Sequence, residues 1–386
     1  MDLSYILNEL GEERDQYFNA IAPPIMQTSN FAFRKVGDLG RAFEDEMSGY
    51  LYSRGINPTI DILRAKLAAL DGAEDCLVFN SGAAAIFAAV LANVKSGDHI
   101  VSVQHPYTWA HRMFDVILPR FGVHTTYVDD SRTENFFEAC TEKTRLIYLE
   151  SPNSWTYSIQ DLPAIARFAR ERNMVTIVDN SYCTPLYQQP IAFGIDIALQ
   201  SATKYIGGHS DVVAGVVCGS KAMMKKIFDS EYLNIGSGIQ PFNAWLLIRG
   251  LRTLPARLEQ INRTTRVVLD YLKQQPKVEK ILFPLDPDFP QYELASRQMR
   301  GAFGLLTIVY KTDRRAEIVR FCEKLQHIMM AVSWGGHESL IVPRCASIRD
   351  DHFRPENESH RMIRLYVGLE AADYLVADLD QAFREE

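Results

Sequence analysis

Lys204 stands in Ser201-Ala202-Thr203-Lys204-Tyr205-Ile206-Gly207-Gly208-His209-Ser210, a polar turn that directly follows the apolar run Ile195-Asp196-Ile197-Ala198-Leu199. A lysine presented there is a candidate reactive amine. Two hydroxyl residues precede it, and the glycine pair after it lets the backbone approach a ligand closely. Spacing alone favours a solvated loop lysine, so the flanking chain has to decide.

Two further stretches bear on that decision. Cys76-Leu77-Val78-Phe79 reads as a buried strand, and Asn80-Ser81-Gly82 turns it into an alanine-rich helix from Ala83 to about Val94. A strand, a glycine turn and a helix N-terminus make an anion site, because unpaired N–H groups converge there with the positive end of the helix dipole. The same pattern also serves ordinary strand-to-helix turns. Asp179 ends the run Val175-Thr176-Ile177-Val178, where its carboxylate either caps a turn or holds a pyridinium N–H. Lysine, anion site and carboxylate together point to pyridoxal 5'-phosphate carried by Lys204 as a Schiff base, with Ser201 and Thr203 helping to bind the phosphate.

The elements that must position these groups alternate. Strands are predicted at His99–Val103, Val123–Val128, Arg145–Leu149, Val175–Val178, Ile195–Leu199 and Val212–Cys218, with a helix from Asp161 to Arg172. Apolar runs that barely alternate in polarity, interleaved with helices, indicate an α/β fold with a mostly parallel sheet covered on both faces. Ligands of such sheets sit outside the carboxyl ends of the strands. Asn57 and Pro58 cap a helix carrying Ile60, Leu63, Leu67 and Leu70, which leaves Tyr52 and Arg54 in the loop before it. From about Pro241 the pattern changes to helices Pro241–Leu251 and Ala256–Gln274, strands Phe303–Tyr310 and Met362–Gly368, and helices Arg315–Gln326 and Ala371–Glu385. The organisation expected is an N-terminal arm over 1–45 contacting a neighbouring subunit, a large cofactor-binding domain over 46–245, and a smaller C-terminal α/β domain over 246–386. The polar segment from Arg344 to His360 is expected as a loop near the site.

Composition narrows the function classes. The chain has 386 residues, enough for two or three domains, with 47% hydrophobic and 23% charged residues, the balance of an ordinary globular protein. A net charge of -7 without basic runs argues against nucleic acid as a partner. Met1 to Gln16 lacks the order of a signal peptide, and the longest apolar stretch, Ala83 to Val94, is too short to span a bilayer. Six scattered cysteines without CxxC pairing are expected as reduced thiols of a cytoplasmic protein, with no metal. No GxGxxG turn follows the first strand, which argues against a dinucleotide-dependent oxidoreductase.

The sequence resembles the Cys/Met-metabolism PLP-dependent enzymes of fold type I. The likeness runs from Pro23-Pro24-Ile25-Met26-Gln27-Thr28-Ser29 to Arg364-Leu365-Tyr366-Val367-Gly368-Leu369-Glu370, with Asp196 through Ser210 as its most specific stretch. The resemblance implies that Lys204 is the Schiff-base lysine and Asp179 the partner of the pyridine nitrogen. Ser81, Gly82, Ala83, Ser201 and Thr203 match phosphate-binding positions. Tyr52 and Arg54 match a motif that reaches the phosphate of the neighbouring subunit, in a homotetramer built from dimers with shared sites. Tyr107 matches the tyrosine that stacks on the cofactor ring and exchanges protons. Arg364, supported by Ser333, matches the arginine that binds the substrate α-carboxylate, and Asn153 and Tyr52 fall among substrate-binding positions.

Within the family, Glu150-Ser151-Pro152-Asn153-Ser154, Ser333-Trp334-Gly335-Gly336-His337-Glu338-Ser339-Leu340-Ile341 and Ile363-Arg364-Leu365 resemble the cystathionine β-lyases. Val332 departs from them, since methionine γ-lyases often carry valine there, and Thr108-Trp109 depart from the Gly-Cys that methionine γ-lyases favour. Trp109 and Trp155 stand where they would shape the entrance. The expected reaction is β-elimination from a sulfur-containing amino acid. Lys204 removes the Cα proton, Tyr107 or Lys204 protonates the leaving sulfur, and thiol, pyruvate and ammonia result. The alternatives are a γ-lyase, a γ-replacing transferase, and a catalytically silent binding protein on the same fold.

Overall fold

The structure, a computed structural model, describes residues 1–384. Seven strands form the larger sheet: β1 (Asp75–Phe79), β2 (His99–Val103), β3 (His124–Val128), β4 (Thr144–Glu150), β5 (Val175–Asp179), β6 (Ile197–Ser201) and β7 (Gly215–Gly219). Their order across the sheet is β1-β7-β6-β5-β4-β2-β3. The β3-β2-β4-β5-β6 run is parallel throughout, and only β7 runs antiparallel to its neighbours β6 and β1. The fold is therefore the α/β arrangement expected, and helices cover both faces. Helix Gly82–Leu91 packs its buried alanines and Ile86 into one apolar layer with Leu77, Leu146 and Leu199, while Leu162, Ile165 and Ala169 of helix Leu162–Glu171 fill the layer on the other side with Val101, Ile147 and Val178.

Capping residues set the helix starts. Asn57 accepts from Thr59 N at 3.0 Å ahead of Pro58, and Gly72, with φ of 66°, ends the helix Pro58–Asp71 in the left-handed region that glycine adopts without strain. Ser81 caps Gly82–Leu91 by accepting from Ala84 N at 3.1 Å.

The second half departs from expectation in two ways. Pro241–Leu272 is a single 32-residue helix with Pro255 inside it, rather than two helices, and the expected domain boundary near 245 falls within it. Proline removes one backbone donor and crowds the preceding turn. In the turn before Pro255, Gly250 O accepts from Arg257 Nη2 at 2.9 Å, and Arg257 Nη1 donates to Tyr205 O at 2.7 Å. The guanidinium thus bridges the disturbed turn to the residue after Lys204. The second sheet also has more strands than expected: β8 (Val278–Leu282), β9 (Leu305–Tyr310), β10 (Met329–Met330), β11 (Leu340–Pro343) and β12 (Met362–Tyr366), in the order β10-β11-β12-β9-β8 and antiparallel except for β10 with β11. One continuous core joins Ile60 and Leu63 through Leu251 and Leu258 to Leu306 and Leu365, so the two sheets share buried apolar surface.

The N-terminus is tied to its own chain. Ile6 and Leu7 of helix Leu3–Asn8 are buried. Lys66 Nζ donates to both of their carbonyls and pairs with the buried Glu12, which also meets Arg252. Among the described residues no helix is long and apolar enough to cross a membrane, and no His, Cys, Asp and Glu group is placed to hold a metal ion.

Candidate active site

The carboxyl ends of β4, β5 and β6 converge with the loop before β11 and with β12. Register places Glu150 beside Asp179, the last residues of adjacent parallel strands. Asp179 Oδ1 accepts from Ser181 N at 2.9 Å, and Ser181 Oγ in turn accepts from Ser201 N at 2.6 Å. Burial pushes the Asp179 carboxyl up, while the Ser181 hydrogen bonds and the nearby Lys204 charge favour its anion.

Lys204 follows directly in the turn after β6. Its Nζ donates to Ser333 Oγ at 2.6 Å and lies 5.6 Å from the centre of the Trp334 ring. Burial, and after it the positive charge of Arg364, lower the Lys204 pKa to about 8 against the opposing pull of Asp179. Ser333 holds this place at φ 82°, uncommon for a residue with a side chain. At Gly335, φ 88°, an added methyl would sit 2.7 Å from Tyr205 N and 2.8 Å from the Lys204 carbonyl carbon. Only glycine lets this loop lie directly against the lysine's backbone.

Arg364 projects from β12 between the buried Ile363 and Leu365, donates to Ser154 O at 3.3 Å and lies 4.8 Å from the Trp155 ring centre. Tyr107 stands just before helix Thr108–Arg112, and its N–H donates to Glu150 Oε2 at 2.7 Å. Burial, then the Asp179 and Glu150 carboxylates, raise its phenol pKa. Lys204, Asp179, Arg364, Ser333 and Tyr107 therefore share one cleft.

Asn153 is buried and already engaged. Its Nδ2 donates to His105 O and Glu150 Oε1, and its Oδ1 accepts from Trp155 N and Thr156 N. In this structure it organises the loops that carry Tyr107 and Trp155. Tyr52 and Arg54 are not brought to this cleft by their own chain. Both are exposed, and Arg54 lies over the Tyr52 ring at 5.5 Å.

Sequence reasoning assigned no role to Glu150. It lies at the centre of the loops, accepting from Tyr107 N, Ser154 N and Asn153 Nδ2. Burial, then the Asp179 charge, push its pKa up to about 8 against the Tyr107 and Ser154 N–H groups. Its place in the quoted Glu150–Ser154 stretch was the one available signal.

The donor set fits pyridoxal 5'-phosphate. Gly82 and Ala83 open a helix, where N–H groups have no acceptor within the helix. A methyl on Gly82 would come within 3.2 Å of Ser201 Oγ, so the glycine keeps a cradle open between the helix start and β6. Ser81, Gly82, Ala83 and Ser201 would hold the phosphate there. The Thr203 hydroxyl already bonds the Ala214 backbone in both directions, donating to its O and accepting from its N. Asp179 would face the pyridine nitrogen and Lys204 the aldehyde carbon.

Comparison with known proteins agrees with this chemistry and revises the expected reaction. The chain is 37% identical over 380 residues to an L-methionine gamma-lyase of Treponema denticola, covering 96% of this chain and 94% of that one. It is 35% identical over 380 residues to the L-methionine gamma-lyase of Pseudomonas putida, covering 97% and 95%. It is 35% identical over 376 residues to a cystathionine gamma-lyase of Bacillus subtilis, covering 96% of each. These names favour the γ-lyase alternative over the β-elimination expected from Trp334 and its neighbours. Trp334 is buried, its ring 5.3 Å from that of Tyr205 and 6.4 Å from that of Tyr182. The family model for Cys/Met metabolism PLP-dependent enzymes matches residues 6–384, and with the lysine, carboxylate and helix-start cradle in one cleft, the chain belongs to that family and uses pyridoxal 5'-phosphate.

Proposed function

We propose that the protein is a carbon–sulfur lyase that eliminates the sulfur substituent from Cγ of methionine- or cystathionine-type amino acids, giving a thiol, 2-oxobutyrate and ammonia. The observation that carries the reading is the Lys204 amine, held on Ser333 Oγ at 2.6 Å in a site that lowers its pKa to about 8. Near-full-length similarity to γ-lyases supports the choice of Cγ.

Arg364 would take the substrate α-carboxylate through its planar fork. The buried Ile363 and Leu365 fix its strand, and Ser154 O already orients one N–H. When bound, the cofactor supplies the electron sink for charge developing at Cα. Lys204, released as a free amine, would take the Cα proton. A leaving group one carbon further out requires a second proton transfer, at Cβ, and a lysine with a pKa near working pH serves for both. Ser333 Oγ holds Nζ between transfers. Tyr107 stays a phenol because burial and two carboxylates oppose its ionisation, so it is suited to protonate the departing sulfur.

Product identification tests the reading. Release of 2-oxobutyrate from methionine and from cystathionine supports it. Pyruvate and homocysteine from cystathionine would return the reaction to β-elimination, and turnover only of an acylated homoserine with a thiol would make the protein a transferase.

A further inference from the structure

Arg344 opens the short turn Arg344–Ser347 after β11. Among the described residues no hydrogen bond or ion pair engages its guanidinium, whose Cζ instead lies 5.2 Å from the centre of the Trp155 ring. The Arg364 Cζ lies 4.8 Å from the centre of that same ring, which limits the separation of the two guanidinium groups to the sum of those distances. Arg344 and Trp155 line a cavity of about 410 Å³ together with His105, His111, Arg112 and Asp115. Asp115, the single carboxylate of the lining, is already taken up: it accepts from Tyr127 Oη at 2.6 Å and faces His111 Nδ1 at 3.0 Å. The lining therefore carries two arginines and no free acid. Burial depresses the Arg344 pKa with no carboxylate opposing it. A desolvated guanidinium without a counter-charge is costly, and a carboxylate presented in its plane relieves that cost with two parallel hydrogen bonds.

We propose that Arg344, held flat by Trp155, is a second acid-binding position that recognises a carboxylate carried beyond the sulfur atom of the substrate while Arg364 holds the α-carboxylate. The preferred substrates are then sulfur amino acids acidic at both ends. This assignment rests on the lyase reading above.

The test uses the holoenzyme and three compounds that differ at one group: methionine, S-carboxymethyl-homocysteine and its neutral amide S-carbamidomethyl-homocysteine. Elimination from the second consumes water and yields thioglycolate, 2-oxobutyrate and ammonia, as methionine yields methanethiol. The wild-type enzyme should prefer the acid over the amide, and Arg344→Gln should reduce that preference by about tenfold or more through KM, with Arg344→Lys retaining part of it. Calorimetry provides a readout independent of turnover. Pimelate, which like the acid substrate has five atoms between its carboxylates, should bind more tightly than heptanoate to the wild type, and Arg344→Gln should remove the difference. An acid-to-amide ratio that Arg344→Gln leaves in place, or an equal loss on all three compounds, overturns the assignment. If none of the three yields 2-oxobutyrate the lyase reading fails instead, and the pimelate titration still decides whether Arg344 binds a second carboxylate.

Discussion

Lys204 works as a base only when neutral, and its surroundings bring that form within reach. Burial and the Arg364 guanidinium disfavour the ammonium, Asp179 favours it, and the balance falls near pH 8 rather than above 10. The neutral fraction grows as pH rises, so kcat should climb along an acid limb with an apparent pKa of about 8. Arg364→Gln removes one of the two lowering influences and should move the limb upward. A kcat flat from about pH 7 to 9 would contradict the assigned base. Lys204 and Asp179 were legible along the chain because each follows an apolar run and must emerge at a strand end. Glu150 was not, since its importance arises from lying beside Asp179 in the β4–β5 register, and register is a relation between strands. Asn153, expected to meet the substrate, binds Glu150, Trp155 and Thr156 of its own segment, and its bond to His105 O is the partner that the local sequence does not display.

At the scale of elements, the loop before β11 determines whether Ser333 reaches Lys204. Gly335 combines a φ of 88° with backbone contacts that leave no space for a methyl. Gly335→Ala should destabilise the protein by roughly 1–3 kcal/mol, the usual cost of a strained backbone position. It should also lower kcat by displacing Ser333. Thermal melts and kinetics check both effects, and a variant that matches the wild type in melting temperature and kcat would refute the packing argument. Most parallel strands of the first sheet were readable because they are short, mainly apolar runs bounded by turns, and the edge strand β3, His-Thr-Thr-Tyr-Val, through its β-branched and aromatic residues. β8, β10 and β11 were not: Val278–Leu282 is interrupted by the exposed Glu279 and Lys280, Met329–Met330 is only a pair, and Leu340–Pro343 ends on a proline. Pro255 made two helices the natural reading of 241–272, and the Arg257 hydrogen bond to Gly250 O lies beyond what local propensity reports.

For the whole molecule, the question is where the segment between the anchored N-terminus and Pro58 is used. Phe18, Ile21, Val36 and Phe43 are strongly exposed, with Phe18 at 99% and Val36 at 88%. Tyr52 and Arg54 stand free of the cleft of their own chain. We propose that this surface meets a second copy whose cofactor phosphate receives Arg54, within a homotetramer of such dimers. Arg54→Ala and Lys204→Ala proteins should each be nearly inactive. Refolded together, they should regain about a quarter of wild-type activity, because one site of each mixed dimer keeps both residues. No recovery from verified mixed dimers would place Arg54 outside the neighbouring site. The apolar segment was visible in the sequence, but the anchoring of the first twelve residues through the Glu12, Lys66 and Arg252 ion pairs depended on contacts far apart along the chain. The reaction itself is tested most directly by identifying the products formed from cystathionine. Cysteine, 2-oxobutyrate and ammonia are predicted, and homocysteine with pyruvate would contradict the account.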